Sequence, residues 1–276
     1  MLHLTILGDV HYSTAGPQES SILFHRSAEI LQTALEQIAR RPHPPDLVIQ
    51  MGDLGDGTDE TPPQAVADLD AAIALLDRSG LRWTWIPGNH DYVVCGPRAL
   101  VPRLRRARLY GELVLGNNVF LLLNSACAEM QGRIDAGQQA WLEQSLDLYR
   151  RRHVFVFVHH VFDSVHDYGM YIENGEAIRA LLLGSRAVKA VFMAHAHTPR
   201  ITTVGGLHEI VAGCLSSWPL MFRHVEILPD RLRVWSEKVA VAPELETEAL
   251  MAHRAYPKPW DDRIRQGDLE AELPLR

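Results

Sequence analysis

The chain has 276 residues, 47% of them hydrophobic and 22% charged, a balance that suits one sizeable core and excludes extensive disorder. Its formal net charge is -7, so no overall basic field recruits nucleic acid, and a phosphate-bearing ligand would need its positive charge supplied locally. No apolar run approaches the roughly 18 residues of a membrane span, no basic leader marks a secretory signal, and Cys95, Cys127 and Cys214 form no Cys-x-x-Cys pair; a cytoplasmic protein in a reducing compartment is expected.

The first strand is predicted at 2–7 and runs straight into Gly8-Asp9-Val10-His11. A helical pattern follows over 21–40, with Ile22, Leu23, Ile30, Leu31, Ala34, Leu35 and Ile38 at helical spacing. A second apolar strand at 47–51 leads into Gly52-Asp53-Leu54-Gly55-Asp56, and a helix over 64–78 stops at Ser79-Gly80. A third strand at 82–86 leads into Gly88-Asn89-His90-Asp91. Strands at 119–123, 153–158 and 188–194 alternate with helices at 137–151 and 174–183, with Asn174 placed to cap the last. His159 and His160 follow the strand that ends at Val158; His195 and His197 follow the one that ends at Ala194. From 201 onward the runs 201–204, 207–212, 222–228 and 231–238 are divided by Gly-Gly, Trp-Pro and Pro-Asp turns, which predicts added antiparallel strands. With no repeat and no low-complexity linker, one α/β domain is expected over 1–242, and the charged, proline-bearing stretch 243–276 is expected as a tail packed on the surface.

The polar residues carry the functional signal. Five strand ends each deliver a carboxylate, an amide or an imidazole, and in α/β folds ligands gather beyond the carboxyl ends of strands. Glycines 8, 52 and 88 let the backbone turn sharply there. Asp, His and Asn without a thiolate suit Mn, Fe, Co or Zn and disfavour a structural zinc site. Seven candidate ligands are enough for two ions sharing a carboxylate, and a pair about 3.5–4 Å apart can clamp both oxygens of an in-line phosphoryl displacement.

The order Asp-x-His, Gly-Asp-x-x-Asp, Gly-Asn-His-Asp, His and His-x-His resembles the calcineurin-like metallophosphoesterase superfamily over roughly residues 1–215. The resemblance extends loosely to its branch of cyclic-nucleotide phosphodiesterases and Mn-dependent ADP-ribose diphosphatases. It implies an αββα sandwich with mixed sheets and the site at the carboxyl ends of the strands. It further implies one metal on Asp9, His11, Asp53 and His197, and another on Asp53, Asn89, His159 and His195, with Asp53 bridging. Mn or Fe is the implied pair, with Zn or Co as alternatives. His90 matches the family position that faces substrate and stabilises the transition state or protonates the leaving oxygen. Asp91 and Asp56 then orient His90 and a ligand imidazole respectively. The implied reaction is hydrolysis of a phosphodiester or diphosphate bond in a small, soluble, nucleotide-like substrate by a metal-bridging hydroxide.

Three segments depart from the family pattern. Ala194 stands where Gly is usual, Val161-Phe162 where cyclic-nucleotide relatives read Pro-Pro, and Asn124 where Asp is common. His159 rather than His160 is taken as the ligand, leaving His160 beside substrate or behind a ligand. Asn124 is read as structural. The stretch 163–171, with His166, Asp167, Tyr168 and Tyr171, reads as a surface loop or a lid. Arg103, Arg105, Arg106 and Arg108 read as a solvated face rather than a phosphate cradle, and His3, His153, His208, His224 and His253 as ordinary histidines. A phosphomonoesterase acting on sugar or protein phosphates is the nearest alternative. A nuclease is disfavoured by the acidic balance, and a non-catalytic scaffold by the presence of His90, which no scaffold needs.

Overall fold

The computed structural model describes residues 1–127, 129, 131–163, 171–256 and 264–275. Two six-stranded sheets pack face to face. The first has β1 (Leu2–Leu7), β2 (Leu47–Gln50) and β3 (Trp83–Trp85) in parallel, extended beyond β1 by antiparallel β10 (Met221–Ile227), β11 (Arg231–Lys238) and β12 (Glu270–Pro274). In the second, β5 (Asn118–Leu122), β6 (His153–Phe157), β7 (Val188–Met193) and β9 (Leu207–Val211) run parallel, with antiparallel β4 (Gly111–Leu115) and β8 (Arg200–Val204) at the margins.

Side-chain alternation sorts the core into layers. Leu4, Ile6, Ile49, Phe120, Phe155, Phe157, Phe192 and Val225 fill the space between the sheets, and Phe157 stacks on Phe192 with centroids 4.8 Å apart. The other face of the first sheet is covered by α1 (Ser27–Ala39), α2 (Pro62–Arg78), α3 (Asn89–Arg103) and α6 (Pro243–Ala255). The other face of the second sheet is covered by α4 (Ala136–Leu148) and α5 (Gly175–Gly184). The result is the helix–sheet–sheet–helix sandwich expected. Burying each of the central phenylalanines contributes about 1.5–3 kcal/mol.

The helical pattern at 21–40 is broken at its start. A short 3-10 turn occupies Phe24–Arg26, and the Ser27 hydroxyl donates to the Phe24 carbonyl at 2.6 Å before α1 begins. Asn174 does precede α5, yet its side chain does not cap it. The amide instead clips Ile134, accepting from its N–H at 3.2 Å and donating to its carbonyl at 2.9 Å. Asn89, His90 and Asp91 open α3, whose chain bends at Gly96-Pro97. The stretch from 243 also holds more structure than a tail would. Leu245 and Ala249 of α6 are buried, and after α7 (Gln266–Leu269) β12 completes the first sheet.

Both margins of the sandwich are sewn shut by side chains. His208 donates from Nε2 to the Pro274 carbonyl at 2.8 Å, and buried Arg223 donates to the carbonyls of Val211 at 3.0 Å and Asp268 at 2.6 Å. On the opposite margin Arg106 donates to the Trp85 carbonyl. The carboxyl ends of β1, β2, β3, β6 and β7 each lead into a segment that bears the polar residues singled out in the sequence. No helix among the described residues is long and apolar enough to cross a membrane.

Candidate metal centre

Close backbone approaches bring the strand ends together. A Cβ on Gly8 would lie 1.9 Å from the Gly213 carbonyl oxygen, and one on Gly88 would lie 2.1 Å from Asp53 Oδ1. Gly52, at φ +96°, turns the chain out of β2. His11, Asp53, His195 and His197 all adopt φ between 49° and 60°. Non-glycine residues rarely take this left-handed conformation, and where they do they cluster at functional sites.

These turns gather all seven sequence-predicted ligand residues. His159 Nε2 lies 3.2 Å from Asp53 Oδ2, 3.2 Å from Asn89 Oδ1 and 3.2 Å from His195 Nδ1. His11 Nε2 lies 3.0 Å from His197 Nε2 and 3.9 Å from Asp53 Oδ2, while His197 Nε2 is 3.8 Å from Asp9 Oδ1. Asp53 thus faces both knots of imidazoles. Asp9 Oδ1 accepts from the His195 backbone N–H at 3.0 Å, and Asp53 Oδ1 accepts from that of His90 at 2.9 Å. That leaves Asp9 Oδ2, Asp53 Oδ2 and His195 Nε2 buried without a hydrogen bond, Asp53 Oδ2 meeting the His159 and His11 imidazoles in ion-pair contacts. Orphaned carboxylate oxygens beside imidazole nitrogens 3.0–3.2 Å apart are the arrangement a bound cation satisfies, and the absence of thiolate among them fits a Mn, Fe, Co or Zn site. The residues fit the group.

The imidazoles are oriented from behind. His159 Nδ1 donates to the Met51 carbonyl at 2.7 Å, and His11 Nδ1 to Asp56 Oδ1 at 2.8 Å, the outer hydrogen bond that fixes a ligand imidazole. Asp56 Oδ1 also lies 3.1 Å from His90 Nδ1, whose ring stands edge-on to His11 with centroids 4.8 Å apart. The His90 side chain is 31% exposed whereas that of His159 is fully buried; it sits on the open side of the cage. Asp91 does not have the place expected of it. Its carboxylate accepts the backbone N–H groups of Gly55 and Gly88, each at 2.9 Å, which ties two of the converging loops together. Asp56 takes over the orienting of His90.

The local field favours cations. Burial alone would lower His90 and His159, but the Asp53 charge together with Asp56 at His90, and with Asp9 and the Met51 carbonyl at His159, outweighs it and raises them to about 10 and about 9. Burial likewise works against ionised Asp53, yet the charges of His159 and His90 hold its carboxyl well below the usual range. Asp9 and Asp91 are pushed up, chiefly by burial, Asp91 to about 7. The raised imidazoles and the depressed Asp53 carboxyl share one cause, a buried carboxylate that attracts positive charge.

One residue joins the cluster more closely than the sequence suggested. His160 is fully buried, and one of its nitrogens lies within 4.8 Å of nitrogens of His159 and His195. The doubled histidine after β6 was the available signal. The Asn124 backbone is gripped by the Gln138 side chain at 2.7 Å on both sides, and its own amide donates to Ala126, which is a structural role. The arginine run serves the fold: Arg103 pairs with Asp70, Arg105 with Asp77, and Arg106 with the Trp85 carbonyl. Residues 164–170, the body of the stretch read as loop or lid, lie outside the described residues.

Comparison with known proteins follows the same lines. The profile of the calcineurin-like phosphoesterase family matches residues 2–199. A curated relative, the 3',5'-cyclic adenosine monophosphate phosphodiesterase CpdA of Vibrio vulnificus, is 25% identical over 148 residues, or 51% of this chain and 50% of that protein. The chain thus spans about half the length of the curated relative it matches. Among solved structures, a dimetal phosphatase from Danio rerio superposes with TM-score 0.76 at 16% identity, covering 100% of this chain and 99% of that one. GAP50, described as the anchor in the inner membrane complex of Plasmodium, gives 0.60 at 12% identity over 93% and 95%. The purple acid phosphatase PPD1 from yellow lupin gives 0.59 at 13% identity over 87% and 52%. These three establish the shared fold.

Proposed function

Because the chain belongs to the calcineurin-like phosphoesterase family, we propose that it is a two-metal hydrolase of a phosphodiester or diphosphate bond in a small, nucleotide-like substrate. The observation that carries this reading is Asp53, buried between two knots of imidazoles with one carboxylate oxygen that makes no hydrogen bond. In the proposed assignment Asp9, His11, Asp53 and His197 hold one ion, and Asp53, Asn89, His159 and His195 the other. Bound ions would activate the attacking water and neutralise charge on the phosphoryl oxygens. Mn or Fe is the proposed pair.

His90 is the group that meets substrate in this proposal. Its half-open position and its raised affinity for a proton suit hydrogen-bond donation to the phosphoryl group or to the departing oxygen. Asp56 holds the His90 ring, and Asp91 keeps the two loops that bear Asp53 and Asn89 in register. The cyclic-nucleotide relative supports the diester side of the proposal. Residues 1–242 are proposed as the catalytic unit, with α6 and β12 bracing its first sheet. A cytoplasmic setting goes with the free thiols of Cys95, Cys127 and Cys214.

The test compares hydrolysis of bis-p-nitrophenyl phosphate and p-nitrophenyl phosphate by the purified protein, with Mn²⁺ and with a chelator. Faster chelator-sensitive release from the diester supports the proposal. Faster release from the monoester selects a phosphomonoesterase instead. Silence on both, with two ions bound, selects a non-catalytic role for the fold.

A further inference from the structure

Beyond the seven residues just assigned, we infer that His160 is a further metal-ligating residue, forming with His159 and His195 a three-imidazole face on the ion nearest β6 and β7. This inference rests on the two-metal reading and adds a ligand that the motif pattern does not contain. Three observations carry it.

The first is proximity. His159, His160 and His195 are 0%, 0% and 4% exposed, and each offers a nitrogen within 4.8 Å of the others. The His160 ring lies 4.3 Å from that of His195 and 4.9 Å from that of His159, centroid to centroid. Among these atoms His195 Nε2 is buried without a hydrogen bond, which costs free energy unless a partner is supplied. An ion placed among the three rings would supply that partner.

The second is orientation. His160 Nδ1 lies 2.8 Å from Ser125 Oγ, which also accepts the His160 backbone N–H at 3.2 Å. This matches His159 against the Met51 carbonyl and His11 against Asp56. In each case one ring nitrogen meets an oxygen, the outer contact by which proteins aim a ligand imidazole.

The third is that the ring is caged. A Cβ on Gly132 would lie 2.6 Å from both Cγ and Nδ1 of His160. Gly132 itself is fixed by its N–H to the Tyr171 carbonyl at 3.0 Å and its carbonyl to the Glu173 N–H at 2.9 Å. A histidine that merely fills space needs no glycine wall and no serine clip.

A third imidazole has a consequence for metal choice. Nitrogen-rich sites favour Fe, Co or Zn over Mn, so this ion should be the more selective of the two.

The experiment titrates chelator-stripped, full-length protein with Co²⁺ and then with Mn²⁺, reading stepwise affinity by calorimetry and the Co²⁺ visible spectrum. Two ions on the wild type establish the dinuclear reading; failure to bind any ion overturns both proposals. The His160→Phe variant should weaken one of the two ions by at least ~10-fold, the lower end of the loss seen for groups one layer further out. It should also change the Co²⁺ spectrum and narrow the preference for Co²⁺ over Mn²⁺. Ser125→Ala should produce a smaller weakening of the same ion. Unchanged affinities and an unchanged spectrum in a folded His160→Phe protein overturn the inference and leave the dinuclear reading standing. A reading independent of the variant's folding comes from ¹⁵N spectra of the wild type during Zn²⁺ titration. The His160 ring nitrogens should shift together with those of His159 and His195, and fixed His160 resonances overturn the inference.

Discussion

Replacing Asp56 with Asn should separate the support of the site from its ligands. Asp56 is 2% exposed, and each of its oxygens is used. Oδ1 receives His11 Nδ1 at 2.8 Å and lies 3.1 Å from His90 Nδ1, while Oδ2 accepts the Thr58 backbone N–H at 2.8 Å. Asparagine has one acceptor end. Whichever way its amide turns, an NH₂ group faces either Thr58 N–H or the two imidazoles, and a buried donor left without an acceptor costs about 1–3 kcal/mol. His11 then loses the contact that fixes its ring, and losses of this kind weaken metal binding roughly 10–100-fold, or about 1.4–2.7 kcal/mol. The weakened ion should be the one held with Asp9 and His197, because Met51 rather than Asp56 orients His159. Turnover at saturating Mn²⁺ should fall as well, since His90 loses the carboxylate that helps it keep its proton. Calorimetric titration with Mn²⁺ beside diester hydrolysis reads both effects. Two ions bound at wild-type affinity would refute the reasoning, whatever the activity.

Three further outcomes are expected. His90→Ala should retain both ions by elemental analysis yet lose roughly 10²–10⁴-fold in turnover, as for a missing acid–base group, whereas Asp53→Ala should lose ions and turnover together. Gly88→Ala should abolish metal binding, because the new Cβ falls 2.1 Å from Asp53 Oδ1 and 2.3 Å from its backbone nitrogen; wild-type metal content in the purified variant would contradict this. Far from the centre, burial, Arg41 and His3 push His224 down from 6.5 to about 4. The folded protein therefore keeps it neutral while the unfolded chain takes up a proton, so its contribution is intact above about pH 6.5 and is lost as pH falls toward 4. In metal-free protein, His224→Phe should flatten the loss of stability over that window by up to about 1.4 kcal/mol per pH unit, measured by urea unfolding at a series of pH values.

How far the sequence could be read depended on how each element announces itself. Buried parallel strands such as β1 and β7 are continuous apolar runs, and their predicted and observed limits agree to within a residue. Marginal strands carry weaker marks. In β4 Glu112 and Val114 face outward, so its pattern looks half polar, and β12 follows a charged, proline-bearing segment. α3 hid behind the motif at its own start and behind Gly96, Pro97 and Pro102 within it. The candidate ligands were visible because they follow strand ends in chain order. Partners supplied from elsewhere were less so. Nothing in the local sequence says that Asp56 serves two rings, that Asp91 holds Gly55 and Gly88, or that Ser125 and Gly132 enclose His160.

The same geometry predicts a rigid centre although its residues sit on turns. Left-handed conformations at His11, Asp53, His195 and His197 each cost of order 1 kcal/mol or more and persist only where surrounding contacts dictate them. Here the strained turns hold one another. The Asp53 carbonyl accepts the N–H groups of both Val10 and His11 at 2.9 Å, the Asp9 carbonyl accepts that of Leu215 at 2.8 Å, and the His197 carbonyl accepts that of Cys214 at 3.1 Å. The loops that carry Asp9, His11, Asp53 and His197 are therefore tied by their backbones to other loops around the site. Side chains so fixed cannot relax away from one another when the positive charge is missing, and the buried oxygens of Asp9 and Asp53 remain aimed at the same small volume. A cation entering that volume needs little rearrangement of protein, which is how a site made of loops can bind as tightly as one built on helices.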